Sequence, residues 1–485
     1  MRLMSQTLPA AALALALTGS PRGARADTVA QAAVEQAMDA MSAGNLSGAE
    51  AILRTARKGN PHDPAVLDVL GVVLDQQHKW SDAESVYQEA VKIAPQGGSI
   101  RNNYGNHLLE TDHPAEARQQ FLQAVKADPA DNNANVQLAR LALSDKNGTA
   151  ALTYLSHLPT AERAKAPILK LAGLAASNAG RPAEAERYFR SYAKTSPDDL
   201  QGNYLLGLAA YKANHLNEAH TALLQAAKDQ PSSSQVLYDL AVADLKLNRN
   251  LDALAVLGRA ASLAPEEADT QKLLARTAAE SGYFEDSVNA WNQYLKLHGQ
   301  DEVALRERGF AQTAIGQNTE AGLTALRQYV AKHGNDAVGH YELGTALSAF
   351  DKDAALGELT TALKGNPSFT EALLARGVVR YRAGDLMGAV QDFAHAAAQQ
   401  PRNGRIWDRL GEAQGASGET ARAVESLQKA QTLTPDDPTI LLHLGRALQK
   451  GNQTAEANAT FARYRQLRNK ASNSPQEAGF VEFAG

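Results

Sequence analysis

A step of 34 residues between small side chains is the feature that most constrains how this chain of 485 residues can fold. Glycine or alanine recurs at one phase thirteen times, and only two steps differ, one of 35 that ends at Gly344 and one of 33 that ends at Gly377. We call these positions the first markers: Ala37, Gly71, Gly105, Ala139, Gly173, Gly207, Ala241, Ala275, Gly309, Gly344, Gly377, Gly411 and Gly445. Chance does not produce thirteen copies in phase, so the chain is an array of one repeated unit.

Two further marks recur inside each copy. A second small residue follows the first marker by twelve residues, with Ser287 the one position that is not alanine and Ala355 placed one residue early. Proline follows another twelve residues later in nine copies, from Pro61 to Pro435. Small residues let two helices pack at close approach, and proline ends a helix because it lacks a backbone donor and clashes with the preceding turn. The pattern therefore predicts a helical hairpin in every copy.

This pattern resembles the tetratricopeptide repeat, a 34-residue helix-turn-helix unit with small residues where its helices cross. The resemblance implies an all-α, right-handed superhelical solenoid of about thirteen such repeats, which we expect to occupy residues 27–471. It also implies a binding scaffold in which the first helix of each hairpin lines a concave groove. Neither catalysis nor a cofactor is expected.

The two ends of the chain lie outside the repeat phase. Residues 1–26 contain Arg2, an apolar run from Leu8 to Leu17 and a small-x-small site that ends at Ala26. This order predicts a secretory signal, and therefore an exported protein that is periplasmic or secreted. The run is too short to span a membrane as a helix. At the other end, residues 472–485 form a tail whose apolar cluster, Phe480 to Phe483, we expect to cap the last hairpin.

Several kinds of active site have no counterpart in the sequence. There is no phosphate-binding glycine loop, dinucleotide fingerprint, nucleophile elbow or paired-histidine zinc helix. The absence of cysteine excludes disulfides and thiolate zinc sites. The twelve histidines are scattered, with His107 and His113 six residues apart, so we expect solvated helix and loop residues rather than metal ligands. The formal net charge of −5 disfavours nucleic acid as a partner.

A basic and aromatic column is the strongest candidate for a binding surface. Three residues before the first marker, six consecutive copies carry only lysine, arginine or tyrosine: Lys170, Tyr204, Tyr238, Lys272, Arg306 and Tyr341. Together with the nearby Tyr211 and Arg276, they are the predicted ligand groove. Lysine and arginine bind carboxylates or phosphates, and tyrosine offers a flat face with one hydroxyl. An extended acidic peptide is the first ligand class and an anionic polysaccharide the second.

Alternatives to this hypothesis remain open at the level of sequence. The tyrosines of the column could pack against the next hairpin while the basic side chains extend over apolar surface. Some members of the family hold a terminal carboxylate with a lysine and asparagine clamp, but the nearest match, Asn102 with Asn106, lies two copies from Lys170. No clamp is therefore predicted.

The resemblance also bears on biological role. Exported arrays of this kind commonly support assembly of secretion, pilus or exopolysaccharide systems. Two other roles are compatible with the sequence, a recognition subunit of a separate glycosyl- or peptidoglycan-processing enzyme and a self-associating structural protein. The sequence leaves the oligomeric state open.

Overall fold

The computed structural model describes residues 26–316 and 319–473, and over these residues the chain is helical, with 27 helices and no strand. The chain divides into two compact units, Met1–Pro231 and Ser232–Gly485. Apart from Ala26, the predicted signal segment lies outside the described residues, as does the apolar cluster of the tail. The structure therefore leaves both as predictions.

Unit 1 contains six helical hairpins and one additional helical turn among its described residues. The hairpins are α1 (Ala26–Ser42) with α2 (Leu46–Gly59), α3 (Pro64–Gln76) with α4 (Trp80–Ile93), α5 (Gly98–Glu110) with α6 (Pro114–Ala127), α7 (Asn132–Ser144) with α8 (Gly148–Ser156), α10 (Ala166–Asn178) with α11 (Pro182–Thr195), and α12 (Gln201–Lys212) with α13 (Leu216–Asp229). The additional turn is α9 (Thr160–Arg163).

Unit 2 contains seven hairpins among its described residues. They are α14 (Ser234–Lys246) with α15 (Asn250–Leu263), α16 (Ala268–Glu280) with α17 (Phe284–Leu297), α18 (Glu302–Ile315) with α19 (Thr319–Lys332), α20 (Ala337–Leu347) with α21 (Lys352–Gly365), α22 (Thr370–Ala383) with α23 (Leu386–Gln399), α24 (Gly404–Ser417) with α25 (Thr420–Leu433), and α26 (Pro438–Lys450) with α27 (Thr454–Asn473). The prediction of an all-α array of about thirteen hairpins is confirmed.

At eight of the nine glycine first markers, an aromatic or leucine side chain of the second helix occupies the crossing. A Cβ atom added at Gly105 would lie 2.7 Å from the ring of Phe121, and one at Gly377 would lie 2.6 Å from the ring of Phe393. Both rings are fully or almost fully buried. Most of these hairpins thus depend on a pair sixteen residues apart, in which a missing side chain makes room for a large one. The exceptions are Gly344, which faces Leu359 fifteen residues later, and Gly309, which faces Ala325.

The turn inside twelve of the thirteen hairpins contains one residue with a left-handed backbone. It lies seven residues after the first marker and has a positive φ in twelve copies. Glycine supplies this conformation in six copies without steric cost, and the other six use His78, Asp112, Lys146, Asn214, Asn248 and Asn452. The copy of Gly344, which is one residue shorter between its markers, closes its turn without a left-handed residue.

The fourth copy departs from the pattern at its second helix. α8 has 9 residues, whereas α6 and α11 each have 14. The chain then passes through Pro159 into the single turn of α9, and Pro167 lies in the first turn of α10, as the displaced proline in the sequence predicts. Over the described residues, the helices are too short or too polar to cross a bilayer.

Candidate functional site

The part of the predicted column that belongs to unit 1 begins with Lys170 on α10. Its Nζ atom lies 3.4 Å from Oδ2 of Asp199 and 5.3 Å from the centre of the Tyr192 ring. The hydroxyl of Tyr192 donates to the same carboxylate, which also accepts the backbone N–H of Gln201 at 2.9 Å where α12 begins. Lys170 therefore joins its own hairpin to the next one.

The same arrangement recurs twice in unit 2, and we call it the cation-tyrosine-aspartate cluster. Tyr294 donates to Asp301 at 2.8 Å, with Nζ of Lys272 5.8 Å from the ring centre. In the next copy the donor is Tyr329, 2.7 Å from the Asp336 carboxylate, and the guanidinium of Arg306 lies 5.1 Å from its ring centre.

Each aspartate of these clusters also accepts a backbone N–H at the start of the following first helix. Burial alone would raise the pKa of Asp199, Asp301 and Asp336, but hydrogen bonds from the tyrosine and the backbone, together with the nearby cation, hold each pKa below its ordinary value. The sequence signal is an aspartate seven residues after a tyrosine. Sequence reasoning found the cations and missed their partners.

The two arginines of the predicted ligand groove share a carboxylate. Arg276 on α16 donates to both oxygens of Glu307, at 2.9 and 2.7 Å, and its guanidinium lies 5.9 Å from the Trp291 ring centre. Arg306 on α18 donates to Glu307 at 3.3 Å and to Asp336 at 3.3 Å. The two arginines differ in access, because Arg306 is 8% exposed while the side chain of Arg276 is 42% exposed.

Glu342 on α20 completes this ionic network from the following copy. One of its carboxylate oxygens lies 3.1 Å from Nε of Arg306, but the two groups are not aligned for a hydrogen bond. Burial raises the pKa of Glu342 to about 7, against the opposing effect of the Arg306 charge. Near neutral pH this carboxyl group is therefore close to the midpoint of its titration.

The tyrosines of the column are half-buried. Tyr341 packs against Phe369 with ring centres 5.0 Å apart, and burial raises the pKa of its hydroxyl. Tyr238 on α14 packs beside the buried cluster of Ala241, Ala253 and Leu257. Tyr204 and Tyr211 lie on α12 in unit 1. Lys272, Arg276, Arg306 and Tyr341 thus lie on three successive first helices of unit 2, α16, α18 and α20. A ligand role for all eight residues of the predicted groove remains a prediction.

A second polar cluster in unit 1 was not foreseen. His107 on α5 is 1% exposed, with Nδ1 2.6 Å from Asp75 and Nε2 2.8 Å from Glu84. Burial alone would lower its pKa, but both carboxylates favour the charged ring and the pKa is raised. Tyr87 and Tyr104 donate to the same two carboxylates at 2.9 and 2.5 Å. The expectation of a solvated histidine is wrong here, because ion pairs allow burial of its charge.

Amide side chains connect two first helices of unit 1. Asn133 on α7 donates from Nδ2 to Asn102 at 2.7 Å and to Asn106 at 3.1 Å, both on α5. The pair considered for a carboxylate clamp therefore contacts the next hairpin.

With this geometry in place, comparison with known sequence families decides the assignment. The tetratricopeptide repeat family matches residues 34–98, 104–167, 170–234, 204–268, 341–404 and 409–474, well over half of the chain. The chain is a tetratricopeptide repeat protein. No curated relative matches this tetratricopeptide repeat protein in sequence.

Solved structures with a similar fold include several repeat proteins. The Cut9–Hcn1 hetero-tetramer of APC/C matches at 12% identity over 87% of this chain and 96% of that one, with a TM-score of 0.41. Yeast Tom70 matches at 12% identity over 92% of this chain and 100% of that one, with a TM-score of 0.40. PilF of Pseudomonas aeruginosa matches at 20% identity over 43% of this chain and 95% of that one, with a TM-score of 0.37. Assignment to the family depends on the repeat match and not on these structures.

Tetratricopeptide repeat proteins are typically interaction scaffolds without catalysis, and this protein is a protein-interaction scaffold. The matched ranges leave out residues 269–340. That segment contains Arg276, Glu307, Arg306 and two of the three cation-tyrosine-aspartate clusters. The most highly charged first helices of the column, α16 and α18, therefore lie outside the matched ranges.

Proposed function

We propose that this protein binds an extended segment of a partner protein along the first helices of unit 2. The observation that carries the proposal is the half-exposed basic pair on α16, Lys272 and Arg276. Lys272 occupies the repeat position that Tyr238 has on the preceding first helix. Repetition on successive helices suits an extended ligand, because neighbouring copies offer similar contacts to successive residues of a peptide.

Within this surface the two arginines have different tasks. Arg306 has little accessible surface and is surrounded by Glu307, Asp336 and Glu342, so it positions α18 against α20. Arg276 keeps part of its guanidinium accessible while Glu307 fixes its orientation. A fixed, partly accessible guanidinium favours a carboxylate of the partner, because less rotational freedom is lost on binding.

The experiment that tests this proposal is a pull-down from native extract with the chain lacking residues 1–26. A variant with Tyr238→Ala, Lys272→Ala and Arg276→Ala is compared with a control that changes Tyr283, Lys296 and Arg327 to alanine. The control removes the same residue types from exposed positions of unit 2 that lie off the first helices. We expect a partner that the control retains and the first variant loses, when both are equally helical by circular dichroism. Equal recovery by the two variants would remove this surface from consideration.

We further propose that the protein is exported and supports assembly of an envelope, secretion or exopolysaccharide system. Export is supported by residues 1–26, in which a positive charge, an apolar run and a small-x-small site follow one another as in a secretory signal. The absence of cysteine is compatible with an oxidising compartment, because no thiol could be oxidised there. Expression of the full chain in a bacterial host, followed by N-terminal sequencing of the periplasmic fraction, tests the proposed export directly. A mature protein beginning at Asp27 is expected, and retention of Met1 on a cytoplasmic product would contradict it.

A further inference from the structure

The shortened second helix of the fourth copy opens a cleft in unit 1. α8 ends at Ser156 after 9 residues, about a turn and a half before the 14-residue second helices of its neighbours end. The residues that would continue it instead form the bend at Pro159 and the single turn of α9. The space left between α8, α10 and α11 has a volume of about 280 Å³.

The floor of this cleft is apolar. Leu155 of α8 and Ala172 of α10 are almost fully buried there, and Leu152 and Ile168 are partly buried beside them. A cleft near the lower end of the usual volume range for ligand sites is suited to one large side chain rather than to a whole cofactor. Burial of an apolar group against this floor would be favourable in proportion to the area removed from water.

The rim of the cleft carries two arginines and one glutamate, with a net positive charge. Arg163 of α9, Arg181, which precedes α11, and Glu184 of α11 line it. The interactions of the two arginines inside the chain are long: Arg163 donates to Thr160 at 3.3 Å, and Arg181 lies 3.4 Å from Glu184. Each guanidinium therefore keeps donors that a ligand can use. Tyr188 of α11 adds a hydroxyl to the same wall.

We propose that this cleft binds a large apolar side chain of a partner peptide together with a carboxylate on the same or the next residue. The apolar floor takes the side chain, and the guanidinium groups of Arg163 and Arg181 bind the carboxylate. The carboxylate comes either from the C-terminus of the partner or from an aspartate beside the apolar residue. The cleft lies wholly in unit 1, whereas the residues of the proposed function lie in unit 2. The two proposals are therefore tested independently of each other.

The test uses three short peptides that carry 4-fluorophenylalanine in place of phenylalanine and are titrated with the protein while fluorine-19 relaxation is measured. They are N-acetyl-Gly-Gly-Phe with a free carboxylate, the same peptide as its C-terminal amide, and N-acetyl-Gly-Phe-Asp amide. We expect at least one carboxylate peptide to bind about tenfold more tightly than the neutral amide, since hydrogen bonds between ions are the stronger kind. The carboxylate peptide that binds identifies the source of the carboxylate.

Variants of the cleft locate the binding. Arg163→Ala with Arg181→Ala should weaken the carboxylate peptides by about tenfold and leave the neutral amide unchanged. Leu152→Trp fills the cleft and should abolish binding of all three. The matched control, Lys194→Ala with Lys212→Ala, removes two exposed positive charges of unit 1 outside the cleft. Absence of binding by all three peptides, equal binding of the neutral amide, or full binding by the arginine variant would each overturn the proposal.

Discussion

Glu342 and His107 are buried titratable residues with raised pKa values. The raised pKa favours the neutral form of the glutamate but the charged form of the histidine. For Glu342, burial outweighs the attraction of Arg306 and raises the pKa to about 7, so the fold favours the neutral form. For His107, the carboxylates of Asp75 and Glu84 outweigh burial, so the fold favours the charged form. Each preference gives the free energy of unfolding its own dependence on pH.

Replacing Glu342 with glutamine should remove a destabilising contribution at alkaline pH. Because the folded pKa of about 7 lies above the ordinary value of 4.5, the wild-type protein loses stability as pH rises between these values. We expect Glu342→Gln to match or exceed the wild type at pH 8, by up to about 3 kcal/mol, since one pKa unit is worth about 1.4 kcal/mol. Urea unfolding at pH 5 and pH 8 measures this, with the exposed Glu320→Gln as control. A large loss at pH 8 would show that the ion pair with Arg306 outweighs burial.

His107→Gln should lose more stability in acid than in alkali. A histidine with a raised folded pKa contributes stability fully below its unfolded pKa of about 6.5, and the contribution disappears as pH rises through the folded value. The difference in urea midpoint between wild type and variant should therefore be larger at pH 6 than at pH 9. His62→Gln, which changes a side chain that is 75% exposed, is the control in the same unit. A difference that does not change with pH would indicate that packing alone is lost.

At the scale of the helices, the crossing inside each hairpin is the contact on which the fold most depends. The ring of Phe393 lies where a side chain at Gly377 would begin. Gly357 of α21, by contrast, is exposed and has no atom within 4 Å of an added Cβ atom. The two glycines of unit 2 therefore separate the effect of packing from the effect of helix propensity.

We expect Gly377→Ala to destabilise the protein by about 1–3 kcal/mol, because the added methyl group must displace a buried ring. Gly357→Ala should stabilise it by about 0.5–1 kcal/mol, because alanine loses less backbone entropy in a helix. Thermal unfolding of the two variants beside wild type gives both values. Stabilisation by both substitutions would mean that the Phe393 ring moves aside at little cost.

Element positions were largely predictable from sequence because glycine and proline have direct steric effects. A small first marker must lie at a close crossing, and proline lies two residues after the end of helices such as α2 and α4. The shortening of α8 was only indicated by a displaced proline, since helix length also depends on tertiary packing. The direction of the column side chains was not predictable. Lys170 and Arg306 turn toward tyrosine and aspartate partners that residue types in a single column do not show.

At the scale of the whole chain, the regular step of the markers does not show that the chain forms two compact units. The step of 34 continues unchanged from Gly207 to Ala241, yet the chain separates into two compact units at Pro231. The markers predict the number of hairpins and carry no information on this division, because they report contacts inside a hairpin. Contacts between hairpins depend on larger side chains that vary from copy to copy.

Each unit should fold as a separate fragment. Residues 27–231 and 232–473 contain complete hairpins with their own buried clusters, and repeat arrays gain stability from neighbouring contacts alone. We expect both fragments to give helical circular dichroism spectra and cooperative urea transitions. A fragment that stays unfolded or forms only aggregates would show that its hairpins need the other unit.

The turn of the short copy at Gly344 has a consequence for how the array can be divided. A step of 35 into this copy is followed by one of 33, so Gly377 lies where two regular steps from Gly309 would place it. Folding does not demand this restored count, since a change of one residue in a surface turn costs little, and this turn closes without its left-handed residue. The extra residue before Gly344 and the missing residue after it cancel within one copy, so the markers from Gly377 onward keep the regular phase. Whole copies are therefore the natural units by which the array can be shortened or extended in engineered variants, with cuts placed in the turns between them.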